Sequence, residues 1–316
     1  MRTSRALIAT SFTLAAGVAL AGCASGTPGA SESPAAEDEI LTIEHAQGET
    51  EVAADPETVI VLDLASLDTL DALGVDVTGV AKGNLPSYLD DYEGDEYLNA
   101  GTLFEPDFAE IEAASPDLII VANRSSEAYP ELAEIAPTID LTLDWTDYLG
   151  SFEANTRTLG EIFGKQDEVD AALAEIEDKI AQTQDAAADA GTGLIVLTSG
   201  GEVTAFGPGS RFGWLHDELG VTPAIEDVEA ATHGDPVSFE FLLETDPDWL
   251  FVVDRDAATG EGTQSAEQIL DNEIVAQTTA WSAGQVVYLD PAPWYIVMSG
   301  LTSVNTMIDQ IQGGLS

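Results

Sequence analysis

Basic residues are scarce in this chain: nine Lys and Arg stand against 58 Asp and Glu among 316 residues. So few cations exclude a nucleic-acid-binding protein, because a phosphate backbone is bound by a surface rich in Lys and Arg. The same imbalance argues against docking on anionic lipid through a basic patch. The single Cys excludes an internal disulfide framework and a Cys-rich zinc site.

Apolar residues are not scarce, and they are arranged as in a globular protein. They make up 45% of the chain, and runs such as LIIVA (118–122) and WLFVV (249–253) are long enough to form buried strands. Strand patterns alternate with helix patterns, which is typical of an α/β fold. The length predicts two domains.

The first 22 residues have the pattern of a lipoprotein signal peptide. A short positive segment precedes an apolar stretch too short to span a bilayer comfortably, and LAGC follows, ending at Cys23. This ending resembles a bacterial lipobox, in which the chain is cut before the Cys and its thiol is acylated; palmitate is the expected acyl group. The alternative is an ordinary secretory signal with an incidental Cys. Residues 23–39, which are small and polar, are predicted to form a flexible tether.

Beyond the tether, the patterns predict an α/β lobe over 40–150, a helical connector over 151–190 and a second α/β lobe over 191–316. A weak internal repeat links the lobes: IEAASPDLIIVANR ends at Arg124, and LLETDPDWLFVVDR ends at Arg255. Each Arg therefore follows a strand at its carboxyl end, where open α/β sheets bind ligands. The alternative is that each Arg forms a surface salt bridge.

The chain resembles the class III substrate-binding lipoproteins of ABC importers, in the ferric-siderophore branch. This resemblance implies two α/β lobes joined by one long helix, with the ligand in the cleft between them. It also implies a monomer, lipid-anchored on the extracytoplasmic face of the cell membrane, that delivers a ferric siderophore to the permease and ATPase subunits. No intrinsic cofactor is expected, and ferric iron enters only as the siderophore complex. The stretches that carry the resemblance are 55–89, 101–124, 152–165, 205–221, 232–242, 246–255 and 286–301.

In this branch three Arg point at the anionic centre of the ligand, and they match Arg124, Arg211 and Arg255. Arg suits this task because its guanidinium stays charged at neutral pH, offers a planar set of donors and stacks on aromatic rings. An anionic catecholate or mixed catecholate–carboxylate siderophore is therefore expected rather than a neutral hydroxamate.

Five further residues are candidates for the cleft by the same resemblance. His233 and Tyr295 match positions that complete the iron shell when the siderophore leaves it open; the alternatives are a loop His bonded to backbone and a core Tyr. Lys82 and Tyr88 are candidates for the rim of the first lobe, or solvated loop residues. Trp294 is expected either in the cleft wall or in the core.

Docking on the permease uses one Glu on each lobe in this family. Glu240 matches the position in the second lobe. The matching residue in the first lobe is Ala109, so we expect the neighbouring Glu110 to substitute for it.

Haem, cobalamin and hydroxamate siderophores are alternative ligands of the same fold. Bare zinc or manganese is not expected, because three scattered His offer no clustered set of ligands. No nucleophile elbow G-x-S-x-G and no H-E-x-x-H motif occurs in the sequence, so we do not expect an enzyme.

Overall fold

Two separate sheets form the centres of two α/β lobes. A computed structural model describes residues 39–225 and 234–316, so Cys23 and His233 lie outside the described residues. Within those two ranges, no helix combines the length and the apolar character needed to cross a membrane.

The first lobe is built on a five-stranded parallel sheet. In chain order its elements are β1 (Ile40–His45), β2 (Gly48–Ala53), β3 (Val59–Val61), α1 (Leu64–Ala72), β4 (Gly79–Val80), β5 (Leu98–Asn99), α2 (Phe108–Ala114), β6 (Leu118–Val121), α3 (Tyr129–Leu132) and β7 (Thr138–Asp140). The sheet has the order β5-β4-β3-β6-β7, and β1 and β2 form a separate antiparallel hairpin. β3 and β6 are buried along their whole length, as expected for strands covered on both faces.

The connector consists of two helices, α4 (Tyr148–Ile162) and α5 (Gln166–Ala187). Gly164 separates them with a left-handed φ of 62°, a conformation that glycine adopts without steric cost. The 22 residues of α5 span about 33 Å at the usual helical rise. Its buried residues recur at helical spacing, so one face packs on the core and the acidic face meets solvent.

The second lobe contains a mixed sheet. Its elements are β8 (Thr192–Ser199), β9 (Glu202–Phe206), α6 (Trp214–Asp217), β10 (Thr222–Pro223), β11 (Asp235–Val237), α7 (Phe239–Thr245), β12 (Trp249–Asp254), α8 (Arg255–Thr259), α9 (Ala266–Leu270), α10 (Thr279–Ala283), β13 (Val286–Leu289) and α11 (Leu301–Gly314). The strand order is β11-β9-β8-β12-β13, with β10 beside β8. β12 lies parallel to both of its neighbours, whereas β9 is antiparallel to β8.

The internal repeat predicted from the sequence is also a structural repeat. In both lobes a short helix, α2 or α7, ends in a residue with left-handed backbone, and Pro-Asp and a buried strand follow. The carboxylate of Asp117 accepts a hydrogen bond from the backbone N–H of Thr58 at 2.8 Å. Asp248 accepts one from the N–H of Thr192, also at 2.8 Å. The two lobes therefore fasten the start of the neighbouring strand in the same way.

A buried carboxylate fastens the first lobe to α11. Asp68 on α1 has no exposed surface, and it accepts hydrogen bonds from the backbone N–H groups of Thr302 and Ser303 at 2.7 and 2.9 Å. The Tyr88 hydroxyl donates a third bond at 2.9 Å. A carboxylate is favoured there because the first N–H groups of a helix have no partner within the helix. Gly300 leaves the necessary room, since a Cβ at this position would overlap the Asp68 carboxyl.

We predict that Asp68→Asn lowers the free energy of unfolding by about 1–3 kcal/mol, because the amide replaces one acceptor oxygen with a donor that faces backbone donors. Urea unfolding of the variant and of the wild type measures this difference. The exposed Asp76→Asn removes the same charge and serves as the control. Equal stability of both variants would show that Asp68 does not fasten the lobes.

Candidate functional site

The carboxyl ends of three adjacent strands supply one wall of a cavity between the lobes. β3, β6 and β7 end at residues 61, 121 and 140, and the second residue after each end, Asp63, Asn123 and Thr142, lines this cavity. The cavity has a volume of about 300 Å³. Its other lining residues are Arg124, Trp145, Arg211, Ile296, Val297 and Met298.

The three predicted Arg converge on one aromatic residue, Tyr295. Its backbone carbonyl accepts hydrogen bonds from Arg124 Nη2 at 3.0 Å and Arg211 Nη2 at 2.8 Å. Its hydroxyl accepts one from Arg255 Nε at 3.0 Å. The guanidinium carbons of Arg124, Arg211 and Arg255 lie 5.9, 4.5 and 5.9 Å from the centroid of its ring, within the range of a cation–π contact. The fold thus brings together three Arg that were predicted as candidates, one from the first lobe and two from the second.

The segment that carries Tyr295 has unusual backbone geometry. Residues Ala292–Val297 form a single π-helical turn, a rare element often found at functional sites. Met298 follows with φ of 71°, which is strained for a residue with a side chain. The Tyr148 hydroxyl holds this conformation by donating to the Met298 carbonyl at 2.6 Å. Met298 Sδ in turn accepts from Arg211 Nε and Nη2 at 3.2 and 3.0 Å.

Arg124 and Arg211 have no carboxylate counter-ion among the described residues. Both are partly buried, and burial together with the charge of Arg124 lowers the pKa of Arg211 to about 10. Arg255 differs, because it pairs with Asp256 at 3.8 Å and Glu261 at 3.5 Å. Its hydrogen bond to Tyr295 raises its pKa. The cavity is therefore lined by two guanidinium groups that form no ion pair within the described residues.

The other four basic residues beyond residue 22 have structural partners elsewhere. Arg157, Lys165 and Lys179 form ion pairs with acidic side chains. The Lys82 ammonium donates to the carbonyls of Glu93 and Gly94 at 3.1 and 2.6 Å. Lys82 therefore ties down the end of a 3₁₀ turn, and it does not line the cavity.

Two aromatic candidates also lie away from the cavity lining. Tyr88 is 40% exposed and binds Asp68, as described above. Trp294 is fully buried, and its indole N–H donates to Gln310 on α11 at 3.0 Å. Trp294 also packs against Trp214, with ring centroids 5.5 Å apart. Of the two alternatives weighed for Trp294, the structure supports the core.

Sequence reasoning missed several lining residues. Asp63 and Thr142 carry the same signal as Arg124, because each follows a strand at its carboxyl end. Trp145 and Met298 carried no such signal. Trp145 lies in a 3₁₀ turn, and its ring centroid is 5.9 Å from the guanidinium carbon of Arg211. Trp145 and Arg211 also line a second cavity of about 430 Å³, so the space available to a ligand extends past them.

The remaining predicted residues lie at the surface or have structural partners. Glu110 and Glu240 are exposed in the first turns of α2 and α7, and Ala109 is exposed beside Glu110. His45 bonds to the Thr50 hydroxyl and His216 bonds to the Val221 carbonyl, both at 2.8 Å. Neither of these two His lines the cavity.

Comparison with known proteins decides the family. A family profile described as periplasmic binding protein matches residues 59–293. The chain belongs to the periplasmic binding protein family. The family resemblance predicted from the sequence is thereby confirmed, and so is the two-lobe α/β fold.

Individual members of the periplasmic binding protein family match most of the chain. Petrobactin-binding protein YclQ of Bacillus subtilis (strain 168) is 43% identical over 282 residues, which are 88% of this chain and 89% of that protein. Its crystal structure superposes with a TM-score of 0.85 and covers 88% of this chain and 99% of that one. The periplasmic catecholate-siderophore binding protein VctP of Vibrio cholerae is 34% identical, with a TM-score of 0.83, and covers 87% of this chain and 100% of that one. Ferric-anguibactin-binding protein FatB of Vibrio anguillarum (strain ATCC 68554 / 775) is 34% identical over 281 residues, 87% of each protein.

We predict that Tyr295→Ala exposes the guanidinium groups of Arg124 and Arg211, because it removes the ring on which they rest. The measurement is the rate of arginine modification by phenylglyoxal, followed at each Arg by mass spectrometry. Both rates should rise, while the rate at Arg157 on the surface should stay unchanged. Tyr288→Ala, on the remote strand β13, is the matched control. Unchanged rates at Arg124 and Arg211 in Tyr295→Ala would contradict the clustering.

Proposed function

We propose that this periplasmic binding protein is a lipid-anchored extracytoplasmic receptor for an anionic ferric siderophore, of the catecholate or mixed catecholate–carboxylate type. The ligand binds in the cleft between the lobes, and the protein delivers it to an ABC permease. The observation that carries the proposal is the pair of guanidinium groups, Arg124 and Arg211, that line the cavity and have no carboxylate partner in the described part of the chain. A partly buried charge is costly unless it is paired, and an anionic ligand supplies the missing partner.

The chemistry of the lining favours an aromatic anion. Arg211 lies near the rings of Trp145, Phe212 and Tyr295, so a catecholate ring adds to an existing set of stacked groups. The two adjoining cavities, about 300 and 430 Å³, fall within the usual range for small-molecule sites. The names of YclQ, FatB and VctP, which state siderophore binding for those proteins, agree with this choice.

Two residues are proposed to touch the iron when the siderophore leaves part of its shell open. Tyr295 is in contact with all three Arg, and its hydroxyl oxygen accepts a hydrogen bond from Arg255 Nε at 3.0 Å. Phenolate oxygen is a suitable donor for ferric iron, which is a hard acid. His233 remains the second proposed ligand.

The remaining parts of the proposal concern the membrane. Cys23 carries the lipid that anchors the protein, and residues 23–39 form the tether. Glu240 and Glu110, which are exposed at the starts of α7 and α2, meet the permease, whose ATPase subunits drive import. The protein acts as a monomer and as a binding protein rather than as an enzyme.

We predict that Arg124→Gln and Arg211→Gln each weaken binding of a ferric catecholate by about 1.5–3 kcal/mol, the contribution of a hydrogen bond to a charged group. Titration of the protein's Trp fluorescence with the ligand measures the affinity. Arg157→Gln, which removes a charge from a surface ion pair, should leave it within about 0.5 kcal/mol of the wild type. Unchanged affinity in both cleft variants would refute the site.

We also predict a loss of affinity as the pH rises through about 10. The pKa of Arg211 is lowered to about 10, so above that pH the guanidinium loses the charge that attracts the anion, whereas below it the charge is complete. Titrations with a hexadentate ferric catecholate from neutral pH to about pH 11 should show this decline in the wild type. Arg211→Gln should lack the decline, and an identical decline in that variant would assign it to another group.

A further inference from the structure

The cavity that holds the two unpaired Arg also contains an acidic group. Asp63 lines it, and only 9% of Asp63 is exposed. One carboxylate oxygen, Oδ2, accepts bonds from the Ser66 backbone N–H and hydroxyl, both at 2.8 Å, which cap the start of α1. The other oxygen, Oδ1, has no hydrogen-bond partner within the described part of the chain.

Leaving Asp63 Oδ1 without a hydrogen-bond donor costs free energy. Burial raises the pKa of Asp63, and the nearby charge of Arg124 opposes that change. The two side chains do not form an ion pair. Asp63 is largely buried, so its free carboxylate oxygen has lost part of its hydration without gaining a donor. A donor from the ligand would satisfy this oxygen.

The neighbouring lining residues Asn123 and Thr142 donate no hydrogen bond to Asp63 Oδ1. The Thr142 hydroxyl already donates to Asp140 and accepts from the backbone N–H of Asn123. The side chain of Asn123 lines the cavity and forms no hydrogen bond within residues 39–225 and 234–316. The Asp63 carboxylate and the Asn123 amide therefore line the same cavity as Arg124 and Arg211.

We propose that Asp63 determines specificity by receiving a protonated amine of the ligand, so that the preferred siderophore carries an amine beside its anionic iron centre. This inference rests on the proposed function and narrows its substrate class. A ligand with charges of both signs complements a cavity that has both signs on its walls. A fully anionic ligand would meet repulsion from Asp63, which is a second source of selectivity.

The test uses two ferric catecholate chelates that differ in one group: a secondary amine in the arm beside the catechols, or an ether oxygen in its place. The wild type should bind the amine probe more tightly by about tenfold to a hundredfold, the range of a charge-assisted hydrogen bond. Asp63→Asn keeps the helix cap and should abolish the preference. Asp63→Ser, a second capping residue, should do the same, whereas the exposed Asp76→Asn should retain it.

Several outcomes would overturn the inference. If Asp63→Asn weakens both probes by the same factor, the residue only shapes the cavity. If the wild type binds both probes equally, Asp63 receives no amine, although the proposed function stands. A shift of the ligand-to-iron charge-transfer band in Asp63→Asn would make the carboxylate an iron ligand instead. If neither probe binds the wild type, the proposed function itself fails.

Discussion

Two partly buried guanidinium groups, which have no carboxylate partner within residues 39–225 and 234–316, are the constraint on which the cleft depends. Their charges are held by weaker groups: the carbonyls of Tyr295 and Ile296, the Tyr295 ring and the sulfur of Met298. These acceptors orient Arg124 and Arg211 without neutralising them. The π-helical turn and the strained Met298 serve this arrangement, because together they place the Tyr295 carbonyl, the Tyr295 ring and the Met298 thioether beside the two Arg. Such preorganisation lowers the cost of binding an anion.

Contacts elsewhere in the protein hold these side chains in place, and screening by salt weakens the effect of the acidic surface on the cleft. Asp68 joins the first lobe to the N-terminus of α11. Asp117 and Asp248, at the starts of the strands that lead to Arg124 and Arg255, each bond to the start of a neighbouring strand. The excess of acidic residues repels an anion at long range, but the Debye length is about 8 Å at physiological ionic strength. Contacts inside the cleft are hardly screened, so the local Arg decide the affinity, while the acidic surface slows the encounter.

The sequence predicts the parts of this fold and site that depend on periodicity and on strand ends. The buried runs located β6 and β12, and the repeat located Arg124 and Arg255. The same strand-end reasoning, applied to every strand, would have found Asp63, Asn123 and Thr142. Trp145, Trp294 and Met298 could not be assigned, because their positions depend on a 3₁₀ turn, on Gln310 of another helix and on a π-helical turn, none of which has a periodic signal. From the sequence, Tyr295 was predicted as a candidate iron ligand. Its contacts with three Arg could not be predicted, because they depend on tertiary structure alone.

The central claim is that this cleft receives an aromatic anion that carries iron. The most direct measurement titrates the Trp fluorescence of the soluble chain, beginning after Cys23, with a ferric catecholate, a ferric hydroxamate, haemin and cobalamin side by side. The account predicts selective submicromolar quenching by the ferric catecholate. Tight binding of the neutral hydroxamate, haemin or cobalamin, with none of the catecholate, would keep the fold and contradict the assigned ligand.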